Sequence, residues 1–150
     1  MTHIKTALVF AFITLLADRA GAQTKHAPLS EQRKCADQAK KFYNETDFPN
    51  TKHATKNEFT SHYDATNLVC YVRVNVSTVE NDMVAVSSYV FDAFENRTYA
   101  SYIWFSVKGK KFWEVKPTEC SVKPVNSKKI VCESTEEFED LVDKYFGLGE

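Results

Sequence analysis

Four cysteines constrain this chain more than any other feature, because two of them lie on segments with clear periodicity. Cys35 lies on the apolar face of a predicted helix, which begins at Ser30 and repeats apolar residues at helical spacing as far as Tyr43. Cys70 lies on the apolar face of a predicted strand, Leu68–Val76, in which alternate residues are apolar. Packing that helix on that strand would bring the two cysteines into one layer.

Cys120 and Cys132 flank a turn-forming segment centred on Asn126, and a hairpin there would place them opposite each other. Among the three pairings that four cysteines allow, we therefore predict Cys35–Cys70 and Cys120–Cys132. Zinc is not favoured, because its ligand sets usually contain closely spaced cysteine pairs, and the sequence has none. We expect no metal site and no catalytic thiol.

Residues 1–22 have the three parts of a secretory signal peptide: a short basic start, an apolar stretch and a small-residue exit at Ala20–Ala22. The apolar stretch is about twelve residues, whereas a helix that spans a bilayer needs roughly twenty. We expect cleavage before Gln23, although Asp18 and Arg19 also suit an uncleaved anchor. The mature form is then expected to be periplasmic or secreted, with no membrane span.

The composition suits a folded domain and excludes one class of partner. Hydrophobic residues make up 43% of the chain and the formal net charge is −1. A near-neutral chain does not bind nucleic acid through bulk positive charge, so no nucleic-acid partner is expected. No metal-ligand spacing and no glycine-rich phosphate loop occurs, so we predict no cofactor. We expect a flexible segment over residues 23–29 and a single domain over residues 30–148.

The remaining segments predict an α+β fold. Short connections favour antiparallel pairing, since parallel neighbours need long crossovers. A C-terminal helix is predicted from a capping box at Ser134 and Glu137 to a stop at Gly147. We expect an N-terminal helix, a four- to five-stranded antiparallel meander and this C-terminal helix, with both helices packed on one sheet face. Besides Leu68–Val76, the predicted strands are Phe59–Tyr63, Met83–Phe91, Thr98–Val107 and Phe112–Lys116.

One short segment, Ser61–Asp64, places a hydroxyl, an imidazole, a phenol and a carboxylate in succession. On a strand, His62 points away from Ser61 and Tyr63, so these neighbours do not form a nucleophile–base pair. An ordinary strand histidine is the favoured interpretation, and no catalytic residue is assigned. The alternative is a hydrolase-like or ligand-modifying enzyme with a site near His62, Tyr63 and Asp64.

Aromatic residues crowd the quarter of the chain between Tyr89 and Trp113. Alternation along Thr98–Val107 predicts Tyr99 and Phe105 on one face of the sheet and Tyr102 and Trp104 on the other. Core packing explains such residues, and so does a groove for a ligand or partner. On the second interpretation the protein binds a small ligand or an envelope protein. The candidate binding residues are Tyr102, Trp104, Trp113, His62 and Tyr63.

Four strings carry a family resemblance: SHYDATNLVCYV, FDAFENRTYASYIW, WEVKPTECSV and CESTEEF. Together they resemble a family of small, uncharacterised bacterial exported proteins with four cysteines in matching places. The resemblance covers the mature chain and implies a periplasmic or secreted location and a single domain. It implies no activity, so no catalytic residue is carried over. Asp64 stands where the family pattern has an asparagine, which bears on the turn that follows.

Overall fold

The computed structural model describes residues 27–149, so the predicted signal peptide over residues 1–22 lies outside the described part. Two α-helices enclose six strands in chain order, and two short 3₁₀ helices lie in the connections. The elements are α1 (Leu29–Glu45), β1 (Ala54–Asp64), β2 (Val69–Glu80), β3 (Met83–Asp92), β4 (Thr98–Phe105), β5 (Glu119–Val122), β6 (Ile130–Val131) and α2 (Thr135–Phe146). The 3₁₀ helices are Phe48–Asn50 and Phe112–Glu114.

The sheet is an antiparallel meander whose spatial order follows the chain, β1-β2-β3-β4-β5-β6. This confirms the α+β class with an antiparallel sheet and a helix at each end. The strand count of six exceeds the predicted four to five. The predicted strand Phe112–Lys116 is wrong, because a 3₁₀ helix occupies its start and Pro117 follows with no N–H for a ladder.

The two helices lie on opposite faces of the sheet, so the prediction that they share one face is wrong. On β2, Val72 and Val74 pack with Phe42 of α1 in one cluster. Tyr71, on the other face, packs with Phe138 of α2 in a second cluster. Six consecutive residues of β2 are buried, as expected of a strand covered on both faces.

Both disulfides have the predicted pairing. Cys35 of α1 bonds to Cys70 of β2, across 35 positions of sequence. Cys120 of β5 bonds to Cys132, across 12 positions, and the Cys132 N–H donates to the Cys120 carbonyl. The first disulfide joins α1 to the sheet, and the second closes the hairpin between β5 and β6.

Helix α2 has the predicted N-cap and C-cap. Ser134 Oγ accepts a hydrogen bond from the Glu137 N–H at 3.1 Å. The Glu137 carboxylate accepts the N–H of Glu133, one residue before the predicted Ser134. Gly147 ends the helix in the left-handed conformation, with φ of 61°. Helix α1 begins one residue earlier than predicted, with Pro28 at its N-cap and no side-chain cap from Ser30.

Removal of this cap should destabilise the start of α2. The substitution S134A is expected to lower the free energy of unfolding by about 1 kcal/mol, because the Glu137 N–H loses its acceptor. Urea denaturation followed by circular dichroism measures the change. The matched variant S30A alters a serine that caps nothing at the start of α1 and should leave the midpoint unchanged. Equal losses in the two variants would contradict the capping role of Ser134.

Candidate functional site

A cleft opens between the first turns of α1 and the end of β1. Its volume is about 710 Å³, which falls within the range of small-molecule sites in proteins. Gln32 and Arg33 line it from α1, while Ser61 and Tyr63 line it from β1. The Asp64–Thr66 segment, which starts the turn into β2, closes one end. We call this feature the helix cleft.

The fold creates the helix cleft by anchoring α1 at its middle and at its C-terminal half. The Tyr43 hydroxyl donates to Asn57 Oδ1 at 2.7 Å, and the Tyr43 ring stacks on Phe59 with 4.7 Å between centroids. Gln38 Nε2 donates to the Ala93 carbonyl at 2.9 Å. The Cys35–Cys70 disulfide is the last fixed point before the helix reaches its N-terminus. The two turns of α1 beyond these points form one wall of the cleft.

The disulfide also fixes the position of Tyr63 relative to the helix. Tyr63 is the cross-strand neighbour of Cys70, and its half-buried ring packs against the same cluster as Cys35 and Phe42. The disulfide therefore joins the α1 wall of the helix cleft to β2, the strand that pairs with the β1 wall. Loss of that bond would leave the wall that carries Arg33 attached only through the later turns of α1.

Asp64 organises the turn at the end of the cleft. Its Oδ1 accepts the N–H groups of Thr66 and Asn67, at 2.7 and 3.1 Å, and its Oδ2 accepts the Asn67 side-chain amide at 2.6 Å. Partial burial opposes ionisation, but these hydrogen bonds outweigh it and lower the pKa of Asp64. The carboxylate is thus ionised at neutral pH and already satisfied by its own turn.

His62 lies apart from its neighbours in the sequence, as strand alternation requires. His62 borders the helix cleft, but its imidazole lies beside Gly147 at the end of α2. A Cβ added to Gly147 would lie 3.4 Å from the Nε2 atom of His62. Ser61 lies on the other face, opposite Val72. Among residues 27–149, no hydrogen bond joins His62 to Ser61, Tyr63 or Asp64. The geometry therefore does not assemble the nucleophile–base pair that a hydrolase near these residues needs.

The structure does not bring the remaining candidate residues into one exposed surface. Tyr102 is 1% exposed and packs on Phe138 of α2, and its hydroxyl shares a 2.7 Å hydrogen bond with Thr135. Trp104 is 6% exposed and donates its indole N–H to the Val115 carbonyl. Trp113, in contrast, is 76% exposed. Tyr102 and Trp104 thus belong to the core, whereas Trp113 lies on the surface.

A buried polar cluster around Arg73 of β2 was not predicted from the sequence. Arg73 is 2% exposed, and its guanidinium forms a two-point ion pair with Glu139 of α2, with N···O distances of 2.8 and 2.5 Å. It also donates to the Leu148 carbonyl and to Ser88 Oγ. The signal was present in the sequence, because Arg73 interrupts a run of apolar residues that is long enough to be buried on both faces.

The described residues offer neither a clustered metal-ligand set nor a membrane-spanning helix. Within residues 27–149, no group of three or more His, Cys, Asp or Glu side chains is placed to bind a metal ion. In the same part of the chain, no helix combines the length and the apolar character needed to cross a bilayer.

The fold and the helix cleft define a class: an α+β domain with a helix on each face of an antiparallel meander, stapled by two disulfides. Comparison with known proteins gives no match, since no family model, no curated protein and no solved structure is significantly similar to the chain. The resemblance to small bacterial exported proteins therefore stays a prediction that rests on the sequence strings alone.

Proposed function

We propose that this chain is an exported binding domain that takes a small organic ligand in the helix cleft. The observation that carries the proposal is the cleft itself. It has a volume of about 710 Å³, with Arg33 of α1 on one side and Ser61 and Tyr63 of β1 on the other. Ligand sites typically combine apolar walls with a few polar groups that fix orientation. Here Leu29 and Ala36 supply apolar surface beside those polar groups.

The ligand that best fits these groups carries a carboxylate and an apolar part. Within the described residues, the Arg33 guanidinium has no ion-pair partner, so its donors are available to a ligand. Arginine binds carboxylates through two parallel hydrogen bonds, which favours it for this purpose. Among the described residues that line the cleft, Asp64 is the one carboxylate, and its own turn engages it.

Export is part of the proposal and is supported by two features. The sequence begins with a segment that has the three parts of a signal peptide, and four cysteines form two disulfides. Disulfides persist in oxidising compartments and are rare in the cytosol, which favours a periplasmic or secreted location. A covalent staple beside the cleft suits a binding site that must keep its shape outside the cell.

A ligand panel tests the binding function. We expect thermal-shift screening of small carboxylic acids, followed by calorimetric titration, to find acids that bind more tightly than their neutral amides. The substitution R33Q should weaken such binding about tenfold or more, since a charge-assisted hydrogen bond is lost. Y63F should weaken a ligand that contacts the phenol while it keeps the ring in place.

A matched arginine provides the control for this experiment. Arg97 is exposed in the connection between β3 and β4, where it pairs with Glu95 at 2.9 Å, away from the helix cleft. R97Q removes the same charge and should leave the affinity unchanged. The proposal would be contradicted if no acid binds, if amides bind as well as acids, or if R33Q and R97Q have equal effects.

A further inference from the structure

A second surface, separate from the helix cleft, combines exposed apolar side chains with lysines. It lies at the end of the sheet where β4 leaves, and it consists of residues 107–113 together with Met83 at the start of β3. We call it the lysine–tryptophan tip. Its exposed apolar side chains are Val107, Phe112, Trp113 and Met83. Its exposed lysines are Lys108, Lys110 and Lys111.

The fold holds the tip in a defined conformation. The ring of Phe112 packs against the buried Trp104, with 4.7 Å between centroids. The Trp104 indole N–H donates to the Val115 carbonyl at 3.0 Å, which fixes the chain on the far side of the 3₁₀ helix. The Glu114 carboxylate accepts the Lys111 N–H at 2.8 Å. Because its neighbours are anchored in this way, the exposure of Trp113 is set by the fold.

The charges of the tip are mainly positive. Its own charged residues are the three lysines, and three carboxylates flank it: Glu114, Asp82 in the turn between β2 and β3, and Glu80, the cross-strand neighbour of Met83. Asp82 and Lys108 line the same depression beside Met83 and Val107. The Lys111 ammonium lies 5.1 Å from the centre of the Trp113 ring. The tip therefore presents the amphipathic ring of Trp113 among three exposed lysine side chains.

We propose that the lysine–tryptophan tip docks the protein on an anionic lipid surface. Tryptophan is enriched at membrane–water interfaces, because its ring is apolar and its N–H is polar. Lysines beside such a ring extend their ammonium groups toward lipid phosphates while their stems lie along apolar surface. A protein partner fits this surface less well, since the centres of protein–protein interfaces are depleted in lysine.

Tryptophan fluorescence with lipid vesicles tests this proposal. The chain has two tryptophans, and Trp104 is buried, so a change in emission on binding reports on Trp113. We expect vesicles that contain phosphatidylglycerol to shift the emission to shorter wavelength, and vesicles of phosphatidylcholine alone to leave it unchanged. The shift should disappear at about 1 M salt, where charges are screened beyond about 3 Å.

Three variants separate the contributions to binding. K108Q/K110Q/K111Q should reduce partitioning onto anionic vesicles about 100-fold in a sedimentation assay. W113S should abolish the emission shift and weaken partitioning. K123Q/K128Q/K129Q removes the same charge from the connection between β5 and β6, where no aromatic residue is present, and should keep most of the binding. Any contribution of residues 1–26 is common to all these variants.

Several outcomes would overturn the proposal. One is the absence of binding to anionic vesicles, which would point instead to a protein partner for the tip. Another is an equal loss in the two triple-lysine variants, which would show attraction by net charge alone. A third is an emission shift that depends on protein concentration without vesicles, which would show self-association through Trp113. None of these results bears on ligand binding in the helix cleft.

Discussion

Replacing both Cys35 and Cys70 with alanine is expected to lower the free energy of unfolding by about 4 kcal/mol. The disulfide closes a loop of 35 positions, so its loss returns a large conformational freedom to the unfolded chain. Both sulfur atoms are also buried between α1 and β2, so the variant loses packed apolar volume. Denaturant unfolding of the oxidised protein and of C35A/C70A measures the difference.

The second disulfide supplies a matched control. C120A/C132A opens a loop of 12 positions, and its expected loss is about 3 kcal/mol. The two variants should differ more clearly in ligand binding, because only Cys35–Cys70 joins α1, which forms one wall of the helix cleft, to the sheet. We expect C35A/C70A to weaken the binding of a cleft ligand and C120A/C132A to preserve it. A larger stability loss in C120A/C132A, or equal effects on affinity, would contradict this assignment.

Replacing Glu139 with alanine is expected to lower the free energy of unfolding by about 3 kcal/mol. The carboxylate is 29% exposed and partly screened, but its partner Arg73 is 2% exposed and would keep its charge in the core without the carboxylate that bonds to it directly. Urea denaturation measures the loss.

A compensating variant distinguishes an unpaired charge from a simple loss of packing. R73M/E139L removes both charges and fills the space with apolar side chains, so it should recover most of the stability that E139A loses. As a control for surface ion pairs, K116A removes one partner of Lys116–Glu133, which is fully exposed, and should leave the unfolding midpoint unchanged. If R73M/E139L is as unstable as E139A, the buried charge is not the cause.

The sequence was sufficient for the parts of the fold that depend on local spacing. The helical period around Cys35 and the alternation around Cys70 placed both on apolar faces, and the disulfide between them followed. The capping serine and Gly147 marked the limits of α2 for the same local reason. Turn residues around Asn126 similarly placed Cys132 opposite Cys120.

The sequence was insufficient where a strand is covered on both faces. Alternation in β2 drew attention to Val72 and Val74, and it treated Tyr71 and Arg73 as the outer face. Their burial depends on α2, which is distant in the sequence. Because α2 packs on the face of Tyr71 and Arg73, it lies on the side of the sheet opposite to α1. A charged residue inside a long apolar run signals such burial only when a partner such as Glu139 is known.

An irregular register between β3 and β4 explains why Tyr99 lies on the face of the sheet opposite to the predicted one. Val90 pairs with Ala100 and Phe91 pairs with Thr98, so Tyr99 is an extra residue in β4. The bulge turns its ring toward α2, where it contacts Phe146 with 6.0 Å between centroids, although simple alternation predicted the other face. A single-residue bulge reverses the sheet face that strict alternation predicts for the residues beyond it. No glycine marks this bulge in the sequence.

The candidate site could be predicted only in part. The Ser61–Asp64 segment was singled out for its chemistry, and it does line the helix cleft. The opposing wall came from Gln32 and Arg33, whose polar side chains on a helix surface look ordinary in the sequence. Their importance depends on where α1 lies against the sheet, and Tyr43, Gln38 and the disulfide anchor it there.

Chemical-shift mapping by NMR, with a carboxylic acid from the ligand panel, tests the binding function most directly. The result we expect is a set of amide shifts concentrated in the first two turns of α1 and in residues 61–66, with saturation at one ligand per chain. Those shifts should be absent from R33Q at the same ligand concentration. Shifts confined to other surfaces, or unchanged in R33Q, would contradict the assignment of the helix cleft as the ligand site.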